Sequence, residues 1–200
     1  MSYTINYRHE RDEIFSIETD RLRLSVLKKS AAPKVCEYYV RNKDFHKRWA
    51  QTQPDSYFSV KAQKEYLRSD SYLYYDDRLL PFFIFEKGDT QKIIGRVSLF
   101  NIVRGGMQSA ALGYHQDEKA CGKGYMTEAV QAITEYGFKE LNLHRIEAFI
   151  LPSNDSSLRL IRRSGFREEG LRKSYMHING KWEDHLSFAL FEENLKELKK

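Results

Sequence analysis

A glycine-bearing turn in the middle of the chain has the residue types and spacing that most directly suggest chemistry. Gly122 and Gly124 lie between residues 109–116, whose composition is typical of a strand, and a long helical stretch that follows. Glycines at this spacing let the backbone direct several N–H groups toward one point, at the positive end of the helix dipole. Such a turn could hold an anion, a diphosphate in particular, although an ordinary strand-to-helix turn also explains it. The spacing matches neither the dinucleotide-binding fingerprint nor the P-loop.

Basic residues in the last quarter of the chain form a second candidate site. The chain contains 33 Lys and Arg against 28 Asp and Glu, which gives a net charge of +5. The local excess comprises Arg159, Arg162, Arg163, Arg167, Arg172 and Lys173. Such a group of cations could bind nucleic acid or a phosphorylated ligand, and a solvated helix face has the same composition. Charge alone does not distinguish these three interpretations.

The elements that would position these residues follow from hydrophobic periodicity and turn signals. Apolar residues alternate over residues 21–27, which predicts a strand with one buried face. Asn179-Gly180 is a strong hairpin signal near the end of the chain. The predicted order is strand 21–27, helices 31–41 and 60–71, strands 79–86, 92–101 and 109–116, the long helix after Gly124, strand 144–151, helix 157–163, and strands 173–178 and 185–191. This order predicts an α/β (α+β) fold with a mixed sheet.

Length and composition limit the class of protein. At 200 residues, the chain fits a single domain, with residues 1–18 as an N-terminal extension and residues 19–191 as the core. Cys36 and Cys121 are too few for a disulfide framework or a zinc site. No apolar stretch is long enough to span a membrane, and residues 1–14 lack the core of a signal peptide. We therefore expect a cytoplasmic protein, a monomer or a homodimer, without a metal, a membrane partner or a direct role on DNA.

Several motifs in register resemble the GNAT acetyltransferase superfamily. Gly122 and Gly124 match the glycines of its acetyl-CoA motif, and Lys119 stands where that motif has Gln or Arg. The signature of the RimJ/RimL branch is matched by Thr19-Asp-Arg-Leu22, Asn154-Asp-Ser-Ser157, Ser164-Gly-Phe166 and Glu169-Gly170. The resemblance to RimJ-like enzymes rests on Asn101-Ile-Val-Arg-Gly105 and Tyr175-Met-His-Ile-Asn-Gly-Lys-Trp-Glu-Asp-His185. It covers about residues 19–191 and implies a GNAT fold, with a mixed, mostly antiparallel sheet of about seven strands, flanked by helices and splayed at the acetyl-CoA site.

The resemblance also implies an acetyl-CoA site around the glycine turn. The strand before the turn would bind the pantetheine chain through backbone groups, and the turn itself would bind the diphosphate. The implied strand residues are Tyr114, His115 and Gln116, and the implied turn residues are Cys121, Gly122, Lys123, Gly124, Tyr125 and Met126. Asn154 would hydrogen-bond the pantetheine arm, and Arg159 with Arg162 or Arg163 would contact the nucleotide phosphates.

The implied reaction is direct attack of an amine on the thioester, so Cys121 is not required as a nucleophile. Ser157 would protonate the departing thiolate, although it could also simply cap a helix that begins at Leu158. The usual glutamate base of RimL-like members falls at Met176 here. Glu147 is the leading candidate for the base in its place. The alternatives are a chain of water molecules, His115, Tyr175 and His185.

Acceptor recognition would come from the variable segments that face the cleft in GNAT folds. The implied acceptor-contacting residues are Trp49, Asn101, Arg104, Tyr175, Trp182 and His185, with Phe45 and Tyr57 as further aromatic candidates. A narrow aromatic slot would suit an extended peptide end. We therefore expect an acetyl-CoA-dependent N-acetyltransferase that acts on the N-terminal α-amino group of a protein, such as an alanine of a ribosomal protein. The alternatives are acetylation of a small amine (polyamine, amino acid or antibiotic) and a non-catalytic protein that binds RNA or the ribosome.

Overall fold

The computed structural model describes residues 3–6 and 11–197, so residues 1, 2 and 7–10 of the predicted N-terminal extension lie outside the described part. The strands are β1 (Thr4–Asn6), β2 (Glu13–Glu18), β3 (Leu22–Leu27), β4 (Leu79–Glu86), β5 (Ile93–Val103), β6 (Ser109–Gln116), β7 (Arg145–Ile150), β8 (Arg167–Ile178) and β9 (Lys181–Phe191). The helices are α1 (Ala32–Arg41), α2 (Lys43–Lys47), α3 (Val60–Tyr75), α4 (Tyr125–Lys139), α5 (Asp155–Arg163) and α6 (Glu192–Glu197). The predicted meander, long helix and C-terminal hairpin are confirmed.

The described strands form one sheet in the order β1-β2-β3-β4-β5-β6-β7-β9-β8. Neighbouring strands are antiparallel except β6 and β7, which run parallel. The expected mixed, mostly antiparallel sheet is therefore confirmed, with nine strands in place of about seven. The two additional strands are β1 and β2, which lie within the segment interpreted as an N-terminal extension.

Strand β3 is buried along its whole length, whereas its alternating sequence predicts one buried face. All six residues, including Arg23 and Ser25, are buried. Glu13 on β2 accepts hydrogen bonds from Arg23 Nε at 3.0 Å and from Ser25 Oγ at 2.7 Å. The expectation was wrong because α3 and α4 both pack on β3, and Glu13 satisfies the polar side chains inside the protein instead of water.

Two apolar clusters form the core, and the larger one holds one face of α4. Its α4 members include Met126, Ala129, Val130 and Ile133. A Cβ at Gly137 would lie 2.9 Å from Leu99 Cδ1, so α4 packs this closely on β5 only because the position has no side chain. The smaller cluster joins α1 and α3 to β4. Within the described ranges, no helix is both long enough and apolar enough to cross a membrane.

Strands β6 and β7 separate after a short stretch of pairing, and this separation determines where a ligand can enter the sheet. Only residues 109–111 of β6 pair with β7, opposite residues 145–147. Beyond that point β7 continues to pair with β9, while residues 112–116 of β6 pair with no described strand on the β7 side. The predicted splay of the sheet is confirmed. Helix α4 follows β6 and α5 follows β7, so both helices begin at the open end of the sheet.

Candidate active site

The open end of the sheet leads into a cavity of about 630 Å³. Most of its wall comes from four parts of the chain: the α2 region with the loop after it, the end of β6, the glycine turn with the start of α4, and α5. The sequence-predicted residues that line it are Phe45, Trp49, Tyr57, Tyr114, His115, Gln116, Cys121, Gly122, Gly124, Met126, Ser157, Arg159 and Arg163. The structure therefore brings most of the predicted cofactor residues to one place.

The glycine turn has the backbone that an anion cradle needs. Gly122 and Gly124 have φ angles of +80° and +78°, in the left-handed region that glycine favours. Gly124 directly precedes α4 and, as a glycine, has no side chain with which to cap this helix end. The Glu128 N–H makes the first helical bond, to the Gly124 carbonyl at 3.1 Å, so the preceding N–H groups of the helix are available to a ligand. Lys123 and Tyr125 belong to the turn but do not line the cavity.

His115, at the end of β6, is a neutral imidazole among aromatic neighbours. Its Nδ1 hydrogen-bonds the Tyr38 hydroxyl at 2.8 Å, and its ring centroid lies 4.8 Å from that of His46. Burial first, and then the nearby His46 and Arg96, lower the pKa of His115 well below its usual value. His115 is therefore uncharged at neutral pH and too weakly basic to deprotonate an ammonium group efficiently. The geometry does not favour it as the general base.

Helix α5 begins earlier than predicted, and this changes the roles of its polar residues. It starts at Asp155, and its cap is Asn154, whose Oδ1 accepts the Ser157 N–H at 3.1 Å. The interpretation of Ser157 as the helix cap is therefore wrong. Ser157 lines the cavity, its hydroxyl hydrogen-bonds the Tyr114 side chain, and its carbonyl accepts the Tyr114 hydroxyl at 3.5 Å. Asn154, predicted to bind the pantetheine arm, uses its side-chain carbonyl for the cap.

Two arginines of α5 face the cavity, and they decide between the two alternatives that the sequence left open beside Arg159. Arg159 and Arg163 line the cavity. Arg162 instead pairs with Glu168 at 3.0 Å, and its guanidinium lies 5.8 Å from the centre of the Phe188 ring. Arg163 lies four residues after Arg159, on the same face of α5, whereas Glu168 holds Arg162 outside the cavity lining. The geometry supports Arg163 in place of Arg162 as a residue that could contact phosphate.

Aromatic residues in and after α2 form another wall of the cavity. Phe45, Trp49 and Tyr57 all line it. The tip of the β8–β9 hairpin holds the loop between them, because Asn179 Oδ1 accepts the Thr52 N–H at 2.8 Å and the Thr52 hydroxyl at 2.7 Å. Asn179 Nδ2 also donates to two carbonyl oxygens of the same loop. We call this set of contacts the Asn179 clasp.

Three other acceptor candidates lie on β8 and β9, outside the cavity wall. The Tyr175 ring contacts His185, with ring centroids 5.6 Å apart, and Phe149 on β7, at 4.9 Å. His185 is buried, and its Nδ1 lies 3.1 Å from the Glu183 carbonyl. Trp182 is 62% exposed on the hairpin. The structure therefore groups Tyr175 with His185 beside β7 and separates Trp182 from both.

Glu147, the leading candidate for the base, is held in ion pairs. Its Oε1 lies 2.9 Å from Arg145 Nη2 and 3.7 Å from Arg172 Nη2. Arg145 also binds Glu169. Because two guanidinium groups share the Glu147 carboxylate and the residue does not line the cavity, the geometry does not favour it as the base.

Asn101 and Arg104 lie at the opposite end of the sheet from the cavity. Strands β5 and β6 are antiparallel, so the end of β5 that carries Asn101 lies beside the start of β6, whereas the cavity lies at the end of β6. Arg104 binds Asp77 through Nε at 2.5 Å and Nη2 at 2.6 Å, and its Nη1 donates to the Leu141 carbonyl. These contacts make Arg104 part of a structural corner, and the geometry does not support a role for either residue in acceptor binding.

Arg96 and Tyr39 line the cavity although the sequence did not single them out. Arg96 lies opposite His115 in the β5–β6 register and pairs with Asp70 at 2.8 Å. Burial raises the pKa of Asp70, and the nearby Arg96 opposes this rise. The sequence did contain a signal for Arg96, because a charged residue within a β-rich stretch requires a partner when it is buried.

Comparison with known proteins identifies the family. Residues 21–167 match the acetyltransferase (GNAT) domain. The chain belongs to the GNAT acetyltransferase family. This GNAT chain is 40% identical over 149 residues to the probable N-acetyltransferase YjcK of Bacillus subtilis (strain 168). The match covers 74% of the chain and 82% of that protein. It is 33% identical over 174 residues to the ribosomal protein uS5-alanine N-acetyltransferase of Escherichia coli (strain K12), covering 87% of the chain and 89% of that protein.

A solved structure of the same family has the same fold. RimJ of Mycobacterium smegmatis in complex with CoA-disulfide superposes on this GNAT chain with a TM-score of 0.82 and 26% identity, covering 89% of this chain and 88% of that one. The resemblance seen in the motifs is confirmed, and the protein is an acetyl-CoA-dependent N-acetyltransferase of the GNAT type.

The residues of the cavity fit this acetyl donor. The N–H groups of the turn suit a diphosphate, the free edge of β6 over residues 112–116 suits an amide chain, and Arg159 and Arg163 supply positive charge. Neither arginine forms an ion pair with another described residue. Among the residues that the structure describes, no group of three or more His, Cys, Asp or Glu is placed to hold a metal ion.

Proposed function

We propose that this GNAT enzyme acetylates the N-terminal α-amino group of a protein, with an N-terminal alanine of a ribosomal protein in the cytoplasm as the preferred acceptor. The charge of the cavity carries the proposal. Asp44 is the one acidic residue among the described residues that line it. The lysines and arginines of the lining are Lys43, Lys47, Arg96, Arg159 and Arg163. A polyamine or an aminoglycoside would require clustered carboxylates, whereas a peptide end has one amine and a neutral backbone.

The Asn179 clasp supports an acceptor that arrives as an extended chain end. It fixes the loop after α2, which lines the cavity, against the hairpin tip, so this wall cannot move outward without breaking hydrogen bonds. Phe45 and Trp49 narrow the same region, which favours a small first side chain. The similarity to the uS5-alanine N-acetyltransferase of Escherichia coli supports the same class of acceptor.

In this proposal the donor supplies an acetyl thioester, and the residues of the chain bind and orient it. Within the turn 121–126, the Cys121 N–H donates to the Glu118 carbonyl at 3.2 Å, and the N–H groups of residues 122–126 would bind the diphosphate. The backbone of residues 114–116 would hydrogen-bond the amide chain as a neighbouring strand does. The Asn154 amide group, whose carbonyl caps α5, would donate to the same chain, and Arg159 with Arg163 would bind phosphate oxygens.

The two proton transfers of the reaction would use different groups. The Ser157 hydroxyl would donate a proton to the departing thiolate, because it lines the cavity beside the Tyr114 side chain, to which it hydrogen-bonds. An α-amino group has a pKa of about 8, so part of the acceptor is already neutral at pH 7 and water can take the remaining proton. Glu147 and His115 are not assigned this role, because ion pairs occupy the first and the second is weakly basic.

A panel of acceptors tests the proposal. The protein is incubated with acetyl-CoA and peptides that differ only in residue one, each with one internal lysine, and with a polyamine and an aminoglycoside. Mass spectrometry then locates the acetyl group. We expect acetylation of the α-amino group, fastest when residue one is alanine. Preferred acetylation of the lysine, the polyamine or the aminoglycoside would overturn the proposal, and RNA binding without any acetylation would favour the non-catalytic alternative.

A further inference from the structure

The Thr19-Asp-Arg-Leu22 motif has no role in the site described above, although it contacts the glycine turn. Arg21 directly precedes β3, and Glu128 lies in the first turn of α4. Glu128 Oε1 accepts hydrogen bonds from the Thr19 hydroxyl at 2.6 Å and from the Arg21 backbone N–H at 3.0 Å, and its Oε2 accepts Arg21 Nε at 2.6 Å. The entrance to β3 is thereby tied to the helix that carries the turn.

Glu128 places a lasting negative charge beside the turn. Its side chain is 1% exposed, and although burial opposes ionisation, hydrogen bonds from Thr19 and Arg21 lower its pKa below the usual value. An anion in the first turn of a helix repels a second anion bound at the same helix end unless a cation balances it. Arg21 is in direct contact with Glu128 and can provide that balance.

Arg21 also contacts the turn itself. Its Nη1 donates to the Lys123 carbonyl at 3.0 Å, and its guanidinium carbon lies 5.0 Å from the centre of the Tyr125 ring. Its Nη2 would lie 3.5 Å from a Cβ placed on Gly124. Among the residues that the structure describes, Nη2 has no acceptor, and the side chain is half exposed. A guanidinium that is held through Nε and Nη1, with Nη2 free beside the turn, is arranged to receive an oxyanion.

We propose that Arg21 is a further acetyl-CoA-binding residue, whose Nη2 donates to a diphosphate oxygen while Nε and Nη1 hold the turn on α4. This inference rests on the proposed cofactor site at residues 121–126. Thr19 and Glu128 are positioning residues, because they orient the guanidinium and do not touch the donor. Arg21 thus balances the negative charge of Glu128 and also donates a charge-assisted hydrogen bond to the diphosphate.

Donors with and without a diphosphate separate this role from a purely structural one. Arg21→Met is expected to weaken the binding of CoA and of dephospho-CoA, which both carry the diphosphate, by about 10- to 100-fold in calorimetric titrations. The kcat/KM for acetylpantetheine, which lacks the diphosphate, is expected to be unchanged. Arg21→Lys should lose an intermediate amount of CoA affinity, because one ammonium group cannot bind Glu128, the Lys123 carbonyl and a phosphate oxygen in the same geometry.

Lys34→Met is the matched control. Lys34 forms an ion pair with Asp12 at 3.4 Å and donates to the Thr90 carbonyl at 3.2 Å, so its loss removes the same kinds of contact away from the turn and should leave CoA affinity unchanged. Equal losses with CoA and acetylpantetheine in Arg21→Met would overturn the inference. Full recovery of CoA affinity in the double variant Arg21→Met/Glu128→Gln would also overturn it, because Arg21 would then only neutralise Glu128. A separate titration of the wild-type protein with CoA tests the cofactor site itself. If the wild-type protein binds no CoA, that site is refuted.

Discussion

Ser157→Ala tests whether the hydroxyl on the cavity wall takes part in acetyl transfer. Asn154 caps α5, and Ser157 contributes only its backbone N–H to that cap, so the substitution removes no capping bond. It does remove the hydrogen bond between the Ser157 hydroxyl and the Tyr114 side chain, which costs about 1 kcal/mol, while the Tyr114 hydroxyl keeps the Ser157 carbonyl as an acceptor. Alanine is the better helix former by about 0.5 kcal/mol, so the two effects largely offset each other and the melting temperature should change by about 4 °C or less.

The same substitution should reduce turnover if Ser157 protonates the thiolate. Loss of a general acid typically costs about 10²-fold or more in rate, which corresponds to about 2.7 kcal/mol of activation free energy. The loss should lie in kcat, with little change in the affinity for acetyl-CoA, because the ground-state contacts of the donor remain. Thiol release at saturating acetyl-CoA measures kcat, and a titration with CoA measures the affinity.

Two neighbouring variants are the controls for Ser157→Ala. Ser156→Ala removes a hydroxyl from the same turn, one that donates to Asn154 Oδ1 at 2.8 Å, and should leave turnover near that of the wild type. Asn154→Ala removes the cap and should lower the free energy of unfolding by about 1 kcal/mol. Wild-type turnover in Ser157→Ala, with an unchanged melting temperature, would refute the assignment and leave water as the proton donor.

Three further predictions concern the turn and the clasp. Gly124→Asp should abolish measurable acetyl-CoA binding in a folded protein, because φ is +78° and a carboxylate repels the diphosphate; unchanged affinity by calorimetry would contradict the cradle. Cys121→Ala should keep wild-type turnover, since burial raises the pKa of the Cys121 thiol and direct transfer needs no acyl-enzyme. An acetyl group trapped on Cys121 and found by mass spectrometry would show the opposite. Asn179→Gly keeps the left-handed turn, where φ is +49°, but removes the clasp. It should raise KM for the peptide and leave KM for acetyl-CoA unchanged. Equal peptide KM values in the wild type and the variant would exclude a role for the clasp.

Features that depend on local residue types were predictable from the sequence. Asn179 and Gly180 have φ angles of +49° and +88°, the two left-handed residues that an Asn-Gly hairpin turn requires, so a dipeptide was enough to place the turn between β8 and β9. The same holds for Gly122 and Gly124, whose positive φ angles mark the cradle before α4.

Features that depend on helix phase or on a distant partner were not predictable. The choice between Arg162 and Arg163 depends on rotation about α5, where one residue corresponds to about 100°. Arg104 binds Asp77, which follows α3 in the structure but lies 27 residues away in the sequence. Its motif was therefore assigned to the acceptor cleft although it builds the opposite corner of the sheet. The full burial of β3 likewise depends on Glu13, a residue of a strand that the sequence did not predict.

The short pairing of β6 with β7 makes the sheet a composite of two antiparallel halves, β1 to β6 and β7 to β9, joined along a seam of three residue pairs. Such a seam should be among the first parts of the sheet to open in local unfolding, because the free edge of β6 gains nothing from a neighbouring strand. An amide chain bound in the gap would act as a removable strand that couples the two halves. Acetyl-CoA would then raise the cooperativity of the whole fold while it is bound, and slower hydrogen exchange at residues 112–116 would report this coupling.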